Sequence, residues 1–307
     1  MKVLILGAGA TGGYYGGRCA AAGADVSFIV RPSRAALLAE RGLRITSPKG
    51  DVAIQPQLIV AGQPLPQADL IILSCKAYDL DSAIESIRPA VGPQTTVMPL
   101  LNGISHYDRL DAAFGAPRVL GGLCQIPVTV GDQGQIVHMG PFHSLTYGER
   151  DGSESERCRR IGELFAPAGF DAQFSRTINL ALWEKFTFLT TLASINCLMR
   201  GNIGQILRAQ DGAALIIELL DECQAVAAAA GHPIPPEVDA RVRATLTTAD
   251  SPVTASMMRD LEQGLRIEAQ QITGDMLRRA RDAGIAAPLL RVAYAHLQTY
   301  QARQAAR

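Results

Sequence analysis

The sequence predicts an α/β domain with a doubly wound parallel sheet, followed by an all-α domain. Short apolar runs alternate with helical periodicity from residue 2 to about residue 118, which is typical of a parallel sheet covered by helices. Short β-type runs follow up to Glu149, and from Arg176 onward the pattern is nearly all helical. We therefore expect one domain over residues 1–175 and a second over residues 176–307.

A glycine-rich loop lies between the first predicted strand, residues 2–6, and the first predicted helix, residues 10–22. A second apolar run at residues 26–30 completes a βαβ unit. The loop consists of Gly7-Ala8-Gly9-Ala10-Thr11-Gly12. Its glycines permit a tight turn, approach of a pyrophosphate to the backbone, and close packing of helix on strand, while the helix N-terminus offers N–H groups to phosphates. This context favours a Rossmann-type dinucleotide-binding domain over an ordinary glycine-rich turn.

The residues after the second strand indicate which dinucleotide binds. Domains that bind NAD usually place Asp or Glu at this strand end, whereas Arg accommodates the 2′-phosphate of NADP. Here the strand ends at Arg31, Ser33 and Arg34 follow, and Asp25 lies at the opposite end. Because guanidinium groups pair bidentately with phosphate, we expect NADP(H) as the cofactor, bound by Arg31 and Arg34. Two solvated arginines at the start of a helix are the alternative.

Charge and cysteine content narrow the class of protein. The chain carries 29 basic and 29 acidic residues, and this balance implies neither a nucleic acid nor a membrane surface as partner. No apolar stretch approaches the roughly 20 residues that cross a bilayer, and a strand pattern starting at residue 2 leaves no room for a signal peptide. Six scattered cysteines lack metal-site spacing: Cys19, Cys75, Cys124, Cys158, Cys197 and Cys223. We expect a cytoplasmic protein without a metal site.

The other elements follow from periodicity and turn residues. In the first domain we expect a helix over residues 33–41, a hairpin within 43–60, strands over 69–75 and 95–101, a helix over 78–87, antiparallel strands at the edge of the main sheet between 119 and 149, and a helix over 156–168. Pro99 is unfavourable within its strand because proline removes a ladder donor. In the second domain we expect helices over residues 178–199, 211–230, 237–249 and 251–283, and an exposed last helix from Pro288.

Two polar residues follow predicted strands of the parallel sheet. Lys76 comes after Cys75, and Asn102 comes after Leu101. Ligands of open α/β sheets bind beyond the carboxyl ends of the strands, so either side chain is positioned to contact cofactor or substrate. A solvated lysine and an Asn-Gly turn at Asn102-Gly103 are the alternatives.

Lys185 comes immediately before residues 186–199, the uncharged part of the long helix over residues 178–199. Burial lowers the pKa of a lysine, which would suit it to donate a proton to the alkoxide that forms when a ketone accepts hydride. Alternatively, Lys185 extends to water or pairs with Glu184.

Four residues of the predicted helix over 251–283 recur at steps of four: Ser256, Asp260, Gly264 and Glu268. Such spacing keeps neighbouring side chains close, so this line is expected to form one wall of a cleft in which Glu268 faces Lys185. A solvated helix face is the alternative.

Together these features resemble the ketopantoate reductase (2-dehydropantoate 2-reductase) family over almost the whole chain. The resemblance is carried by residues 7–12, Arg31, Cys75-Lys76-Ala77, Asn102-Gly103, residues 134–138, Gly148-Glu149, Leu182-Trp183-Glu184-Lys185, residues 256–260, Glu268 and residues 284–288. The Trp-x-Lys helix combined with the Ser-Met-x-x-Asp…Glu segment is specific to this family, whereas the glycine loop is shared with many dehydrogenases.

The resemblance implies a role for each matched residue. Lys185 would be the general acid, and Glu268 would orient it and the substrate hydroxyl. Asn102 and Ser256 would contact substrate. Lys76 would act where cofactor and substrate meet, and Arg31 would hold the 2′-phosphate.

The chain departs from the family pattern on the lysine's helix. Relatives carry two substrate-binding asparagines four and eight residues after the lysine, where this chain has Leu189 and Ala193. Asn196, three helical turns after Lys185, is a candidate substitute. The departure implies a more apolar pocket and a larger or less hydroxylated 2-oxo acid as an alternative substrate.

The leading functional hypothesis is NADPH-dependent reduction of a 2-oxo acid, first of all 2-dehydropantoate. A dehydrogenase of a different 2-hydroxy acid and a non-catalytic NADP-sensing module are the alternatives. Exposed apolar surface on the helical domain would support a homodimer.

Overall fold

A computed structural model describes residues 1–306 of the chain. The chain forms two compact units, of which the first comprises Met1–Leu101 and His106–Ile178. The second comprises Asn102–Ser105 together with the chain from Asn179 onward. Four residues that come shortly after the last strand of the main sheet thus belong to the second unit.

The first unit contains three sheets and five α-helices. Its strands are β1 (Lys2–Leu6), β2 (Asp25–Val30), β3 (Leu43–Thr46), β4 (Val52–Ile54), β5 (Gln57–Val60), β6 (Leu70–Leu73), β7 (Thr96–Pro99), β8 (Gly121–Gln125), β9 (Val128–Val130), β10 (Ile136–His138), β11 (Ser144–Gly148) and β12 (Asp171–Phe174). Its helices are α1 (Ala10–Ala21), α2 (Pro32–Arg41), α3 (Leu80–Ile87), α4 (His106–Phe114) and α5 (Glu156–Phe165).

The main sheet has the order β5-β2-β1-β6-β7, and its pairs are all parallel. In β1, Val3, Leu4 and Ile5 are at most 1% exposed, as expected for a strand covered on both faces. Pro99 is tolerated because it ends β7, an edge strand of this sheet. The predicted α/β fold is confirmed, and β1 lies between β2 and β6 at the point where the strand order reverses.

The smaller sheets differ from the prediction. The expected hairpin is present as β3 and β4, but β5 leaves it and joins the main sheet. The strands between residues 119 and 149 were expected at the edge of the main sheet, and this location is wrong. They form two further sheets, of order β4-β3-β10-β9 and β12-β11-β8. Strands from distant parts of the chain, β3 and β12, supply the pairing partners, and local periodicity does not identify such partners.

The second unit is helical. Its helices are α6 (Ile178–Met199), α7 (Ile203–Leu207), α8 (Gly212–Ala229), α9 (Pro236–Leu246), α10 (Ser256–Glu262), α11 (Asp275–Asp282) and α12 (Pro288–Ala305), with a π-helix at Gln270–Gly274. The predicted bounds of α6 are those observed. The last helix is less exposed than predicted, because Leu290, Ala293 and Leu297 are at most 1% exposed.

The predicted continuous helix over residues 251–283 is wrong. Gly264 adopts a left-handed φ of +69°, its N–H donates to the Leu261 carbonyl, and the N–H of Leu265 donates to the Asp260 carbonyl at 2.8 Å. These bonds form a Schellman motif, which satisfies the last carbonyls of α10 and ends the helix. The chain resumes helical structure only at the π-helix.

Within residues 1–306, no helix is long and apolar enough to cross a membrane. The same part of the chain holds no group of three or more His, Cys, Asp or Glu side chains arranged to bind a metal ion.

Candidate active site

The glycine loop connects β1 to α1 at the carboxyl edge of the main sheet. Gly7 has a φ of +96°, which glycine adopts without strain, and its N–H donates to the Ile29 carbonyl at 2.9 Å. A Cβ on Gly12 would lie 2.1 Å from Ser74 Oγ and 2.4 Å from the Gly7 carbonyl oxygen. The loop therefore packs so closely on the end of β6 that Gly12 cannot carry a side chain.

The start of α1 fits an anionic ligand. Gly9 is the N-cap residue, no side chain caps the helix, and a Cβ on Gly9 would meet nothing within 4 Å. The first N–H groups of an α-helix have no acceptor within the helix, and the helix dipole favours negative charge there. Ala10 and Thr11 in the first turn are half-buried. Open space beside unpaired N–H groups is what a bound pyrophosphate requires.

Arg31 and Arg34 have different surroundings. Arg31 lies at the end of β2, its side chain is 76% exposed, and its Nη2 pairs with Asp79 Oδ2 at 2.9 Å. The guanidinium of Arg34 is bound to the backbone instead. Its Nε and Nη2 donate to the Ala8 carbonyl at 3.1 and 2.8 Å, and its Nη1 donates to the Gly134 carbonyl at 2.8 Å. Arg34 thus connects the glycine loop to the turn between β9 and β10.

Lys76 lies just beyond the residue of β6's carboxyl end that contacts the glycine loop. It follows β6 by three residues, and the preceding Ser74 donates from Oγ to the Leu6 carbonyl at 3.1 Å. The Lys76 side chain is half-buried. In the first unit, the structure therefore brings the glycine loop, Arg31, Arg34 and Lys76 to the carboxyl ends of β1, β2 and β6, as the sequence predicts.

Lys185 lies on the half-buried stripe of α6. Its neighbours Trp183 and Phe186 are 6% and 1% exposed, whereas Lys185, Phe188 and Leu189 are half-buried. Beyond Leu189, α6 is buried as far as Cys197. Lys185 therefore shares a helix face with Phe188 and Leu189, which follow it by three and four residues.

The local ion pair between Glu184 and Lys185, one of the alternatives considered for Lys185, does not form. Burial raises the pKa of Glu184, and the charged groups that act on it are Arg241, which lowers its pKa, and Glu237, which raises it. These residues lie on α9, so the Glu184 carboxyl belongs to the contact between α6 and α9.

The segments that carry Ser256 and Glu268 are separate elements. Ser256 is half-buried at the start of α10, and Glu268, which is 4% exposed, precedes the π-helix. The expected single helical wall through Ser256, Asp260, Gly264 and Glu268 is wrong, because α10 ends before Gly264 and Glu268 lies outside it. A nearly buried carboxylate is nevertheless present in the second unit.

The segment that contains Asn102 packs against the π-helix. A Cβ on the next residue, Gly103, would be 2.4 Å from the Gln271 carbonyl oxygen and 4.0 Å from Phe186 Cε2. The close approach requires glycine at position 103 and brings half-buried Asn102 to the surface of the second unit near Phe186. The sequence analysis did not predict the π-helix or its contact with Gly103.

Asn196 is a structural residue and not the expected substrate contact. Its side chain is fully buried, its Nδ2 donates to the Gly201 carbonyl at 2.9 Å, and its Oδ1 accepts from the Ala255 N–H at 2.9 Å. Both ends of the amide are therefore occupied by backbone. Ala193 is also fully buried, so half-buried Leu189 is the more accessible of the two departures from the family pattern.

Asp79 is a further polar residue that the sequence reasoning missed. It occupies the N-cap position of α3, yet its side chain makes no capping hydrogen bond and pairs with Arg31. The spacing Lys76-x-x-Asp79 was the available signal.

Comparison with known proteins identifies two matching family models. The model described as ketopantoate reductase PanE/ApbA matches residues 3–152, and the model of its C-terminal part matches residues 177–301. An oxidoreductase of Bacillus subtilis (strain 168), YkpB, which is named as uncharacterized, is 37% identical over 99% of this chain and 100% of its own length.

Two solved structures share the fold over nearly the whole chain. The ketopantoate reductase of the PanE/ApbA family from Ralstonia eutropha JMP134 has a TM-score of 0.90 and 27% identity, covering 99% of this chain and 100% of its own. D-mandelate dehydrogenase, in a ternary structure with NADH and anilino(oxo)acetate, has a TM-score of 0.89 and 22% identity, covering 99% and 100%. At 22% identity, the similarity to D-mandelate dehydrogenase shows a shared fold and nothing more.

Proposed function

Because the chain belongs to the ketopantoate reductase PanE/ApbA family, we propose that it reduces a 2-oxo acid with NADPH, with 2-dehydropantoate as the first candidate substrate. The observation that carries this proposal is the position of Lys185, a half-buried lysine beside the apolar residues Phe188 and Leu189 on α6. An ammonium group held beside a ketone can act as its general acid.

The first unit would hold the cofactor. The N–H groups at the start of α1 would bind the pyrophosphate, and the open space at Gly9 allows its close approach. Arg31 would contact the 2′-phosphate, Arg34 would hold the loop through Ala8, and Lys76 would contact the nicotinamide half. When bound, the nicotinamide supplies the hydride.

The second unit would provide the acid and bind the substrate. Lys185 would donate its proton to the oxygen of the former keto group, while Glu268 would orient the ammonium and the substrate hydroxyl. Asn102 and Ser256 would hold the substrate through hydrogen bonds. The buried state of Glu268 supports an orienting role, because a buried carboxylate requires polar or cationic partners.

A substrate panel tests the proposal. NADPH oxidation is followed with 2-dehydropantoate and with 2-oxo acids of apolar side chain, such as 3-methyl-2-oxobutanoate and phenylglyoxylate. Oxidation with 2-dehydropantoate at the highest kcat/KM supports the first candidate. NADPH binding without oxidation by any of these acids contradicts the proposed reaction and favours the sensing module.

A specific observation favours a second candidate, a dehydrogenase of a 2-hydroxy acid with an apolar side chain. Leu189 is half-buried one helical turn beyond Lys185, next to Phe188. An apolar pair at this place offers no hydrogen bond to a substrate hydroxyl. The highest kcat/KM with an apolar 2-oxo acid in the panel would establish this candidate.

A further inference from the structure

A carboxylate lies against the arginine that would hold the 2′-phosphate. Arg31 Nη2 and Asp79 Oδ2 are 2.9 Å apart, and the two side chains are 76% and 30% exposed. Arg31 follows β2 and Asp79 follows β6, so the pair lies at the carboxyl ends of two strands that flank β1. The sequence places no acidic residue at the end of β2, but the fold brings one there from 48 residues away.

The local structure directs Asp79 toward Arg31. The backbone of Asp79 is fixed at both ends, because its N–H donates to the Lys76 carbonyl at 2.9 Å and its carbonyl accepts from Ser82 Oγ at 2.9 Å. Aspartate at an N-cap normally accepts from the helix N–H groups. Here no such bond forms, and the carboxylate pairs with Arg31 instead.

Arg31 is also restrained. It precedes Pro32 and has extended backbone angles, φ −67° and ψ 152°. A residue before proline is restricted to this region, so the side chain leaves the end of β2 in a set direction. The guanidinium of Arg34, by contrast, is held away from this pair, because its Nε, Nη1 and Nη2 donate to the Ala8 and Gly134 carbonyl oxygens.

We infer that Asp79 is a cofactor-specificity residue that lowers the preference of this chain for NADPH over NADH. The inference rests on the proposed function, in which the first unit binds a nicotinamide dinucleotide. A carboxylate at this strand end is the group that accepts a hydrogen bond from the ribose 2′-hydroxyl of NADH. The same negative charge offsets that of Arg31 and repels a 2′-phosphate.

Binding constants of the wild-type protein and of the D79N variant test the inference. Dissociation constants for NADPH and NADH are measured by fluorescence titration, without substrate. We expect D79N to raise the preference for NADPH about 3- to 10-fold, because a charge is removed from beside a phosphate in a solvent-exposed, screened site. The gain should shrink as salt concentration rises.

A matched control is D25N, which removes the same charge at the amino end of β2, where Asp25 is exposed. Its ratio of dissociation constants should equal that of the wild-type protein. Thermal unfolding shows that both variants are folded.

The outcomes separate this inference from the proposed function. Binding of neither nucleotide by the wild-type protein overturns both. If D79N binds both nucleotides with the wild-type ratio of dissociation constants, the inference alone is overturned. A weaker preference for NADPH in D79N also overturns it, because Asp79 would then position Arg31 for the phosphate.

Discussion

The backbone N–H of Ala255 donates a hydrogen bond to Asn196 Oδ1 at 2.9 Å, in the buried interior of the helical unit. Nδ2 of the same amide donates to the Gly201 carbonyl at 2.9 Å. Asn196 thus connects α6 both to the turn that follows it and to the residue that precedes Ser256. The side chain fixes the start of α10 rather than contacting a ligand.

Replacement of Asn196 is therefore expected to act on stability. Asn196→Ala leaves one buried N–H and one buried carbonyl without a partner, which costs about 1–3 kcal/mol for each group. Urea unfolding should show a lower midpoint for the variant. A wild-type unfolding midpoint together with a raised KM would contradict this role and restore Asn196 as a substrate contact.

Arg34 is expected to position the glycine loop and not to recognise the 2′-phosphate. Since its guanidinium binds the Ala8 and Gly134 carbonyls, Arg34→Met should loosen the glycine loop and weaken NADH and NADPH alike. Hydrogen bonds to charged groups are worth about 1.5–3 kcal/mol, so a roughly tenfold rise in both dissociation constants is expected. Arg31→Met is the comparison and should weaken NADPH only. Loss of NADPH binding alone in Arg34→Met would show that Arg34 binds the 2′-phosphate.

The elements predicted best are those whose signals are local. The apolar run of β1, the glycine loop and the helical period of α1 occupy twenty consecutive residues, from Lys2 to Ala21, and none of them depends on a distant partner. The bounds of α6 were predictable for the same reason. Steric fit at Gly12 with Ser74 confirms the close packing inferred from the motif.

The features that could not be predicted depend on tertiary contacts. Helical periodicity continues across Gly264, so only the observed left-handed conformation shows that the helix ends there. Asn196 resembles a pocket residue by spacing, and its two backbone partners are defined only in the folded unit. The Arg31–Asp79 pair joins residues that are 48 positions apart in the chain. From the sequence alone, Asp79 would be expected to cap the helix that follows it.

The proposed acid is tested by Lys185→Met, which removes the ammonium and keeps an apolar stem. Positioned acid catalysis is worth about 10²–10⁴-fold, and we expect kcat to fall by roughly that factor. The dissociation constant of NADPH should stay within about twofold, since the residues proposed to bind it lie in the first unit. Near-normal turnover in this variant would remove Lys185 from the mechanism.

Stability should depend on pH through His143, which is buried in the first unit and lies 2.8 Å from the Tyr14 hydroxyl through Nδ1. Burial lowers the pKa of His143 below its ordinary value of 6.5; Asp171 opposes this shift, while Arg18, His138 and Lys49 add to it. The unfolded chain therefore takes up a proton at a higher pH than the folded chain does. The free energy of unfolding should fall as pH drops below about 6.5.

Unfolding midpoints of wild type and His143→Gln between about pH 8 and pH 5.5 measure this contribution. The decrease toward low pH should be smaller in the variant, because glutamine does not titrate. Equal decreases in both proteins would show that His143 makes no contribution in this range.

Substitution of Leu189 tests whether the apolar surface of α6 takes part in the choice of substrate. An asparagine there would place an amide one turn from Lys185, where it could bind a substrate hydroxyl. We expect Leu189→Asn to raise kcat/KM for 2-dehydropantoate relative to 3-methyl-2-oxobutanoate by roughly tenfold or more, because sites discriminate strongly when a polar group gains or lacks its partner. Met199→Asn, an exposed apolar position at the end of the same helix, is the control and should leave the ratio unchanged. An unchanged ratio in Leu189→Asn would show that residue 189 does not face the substrate.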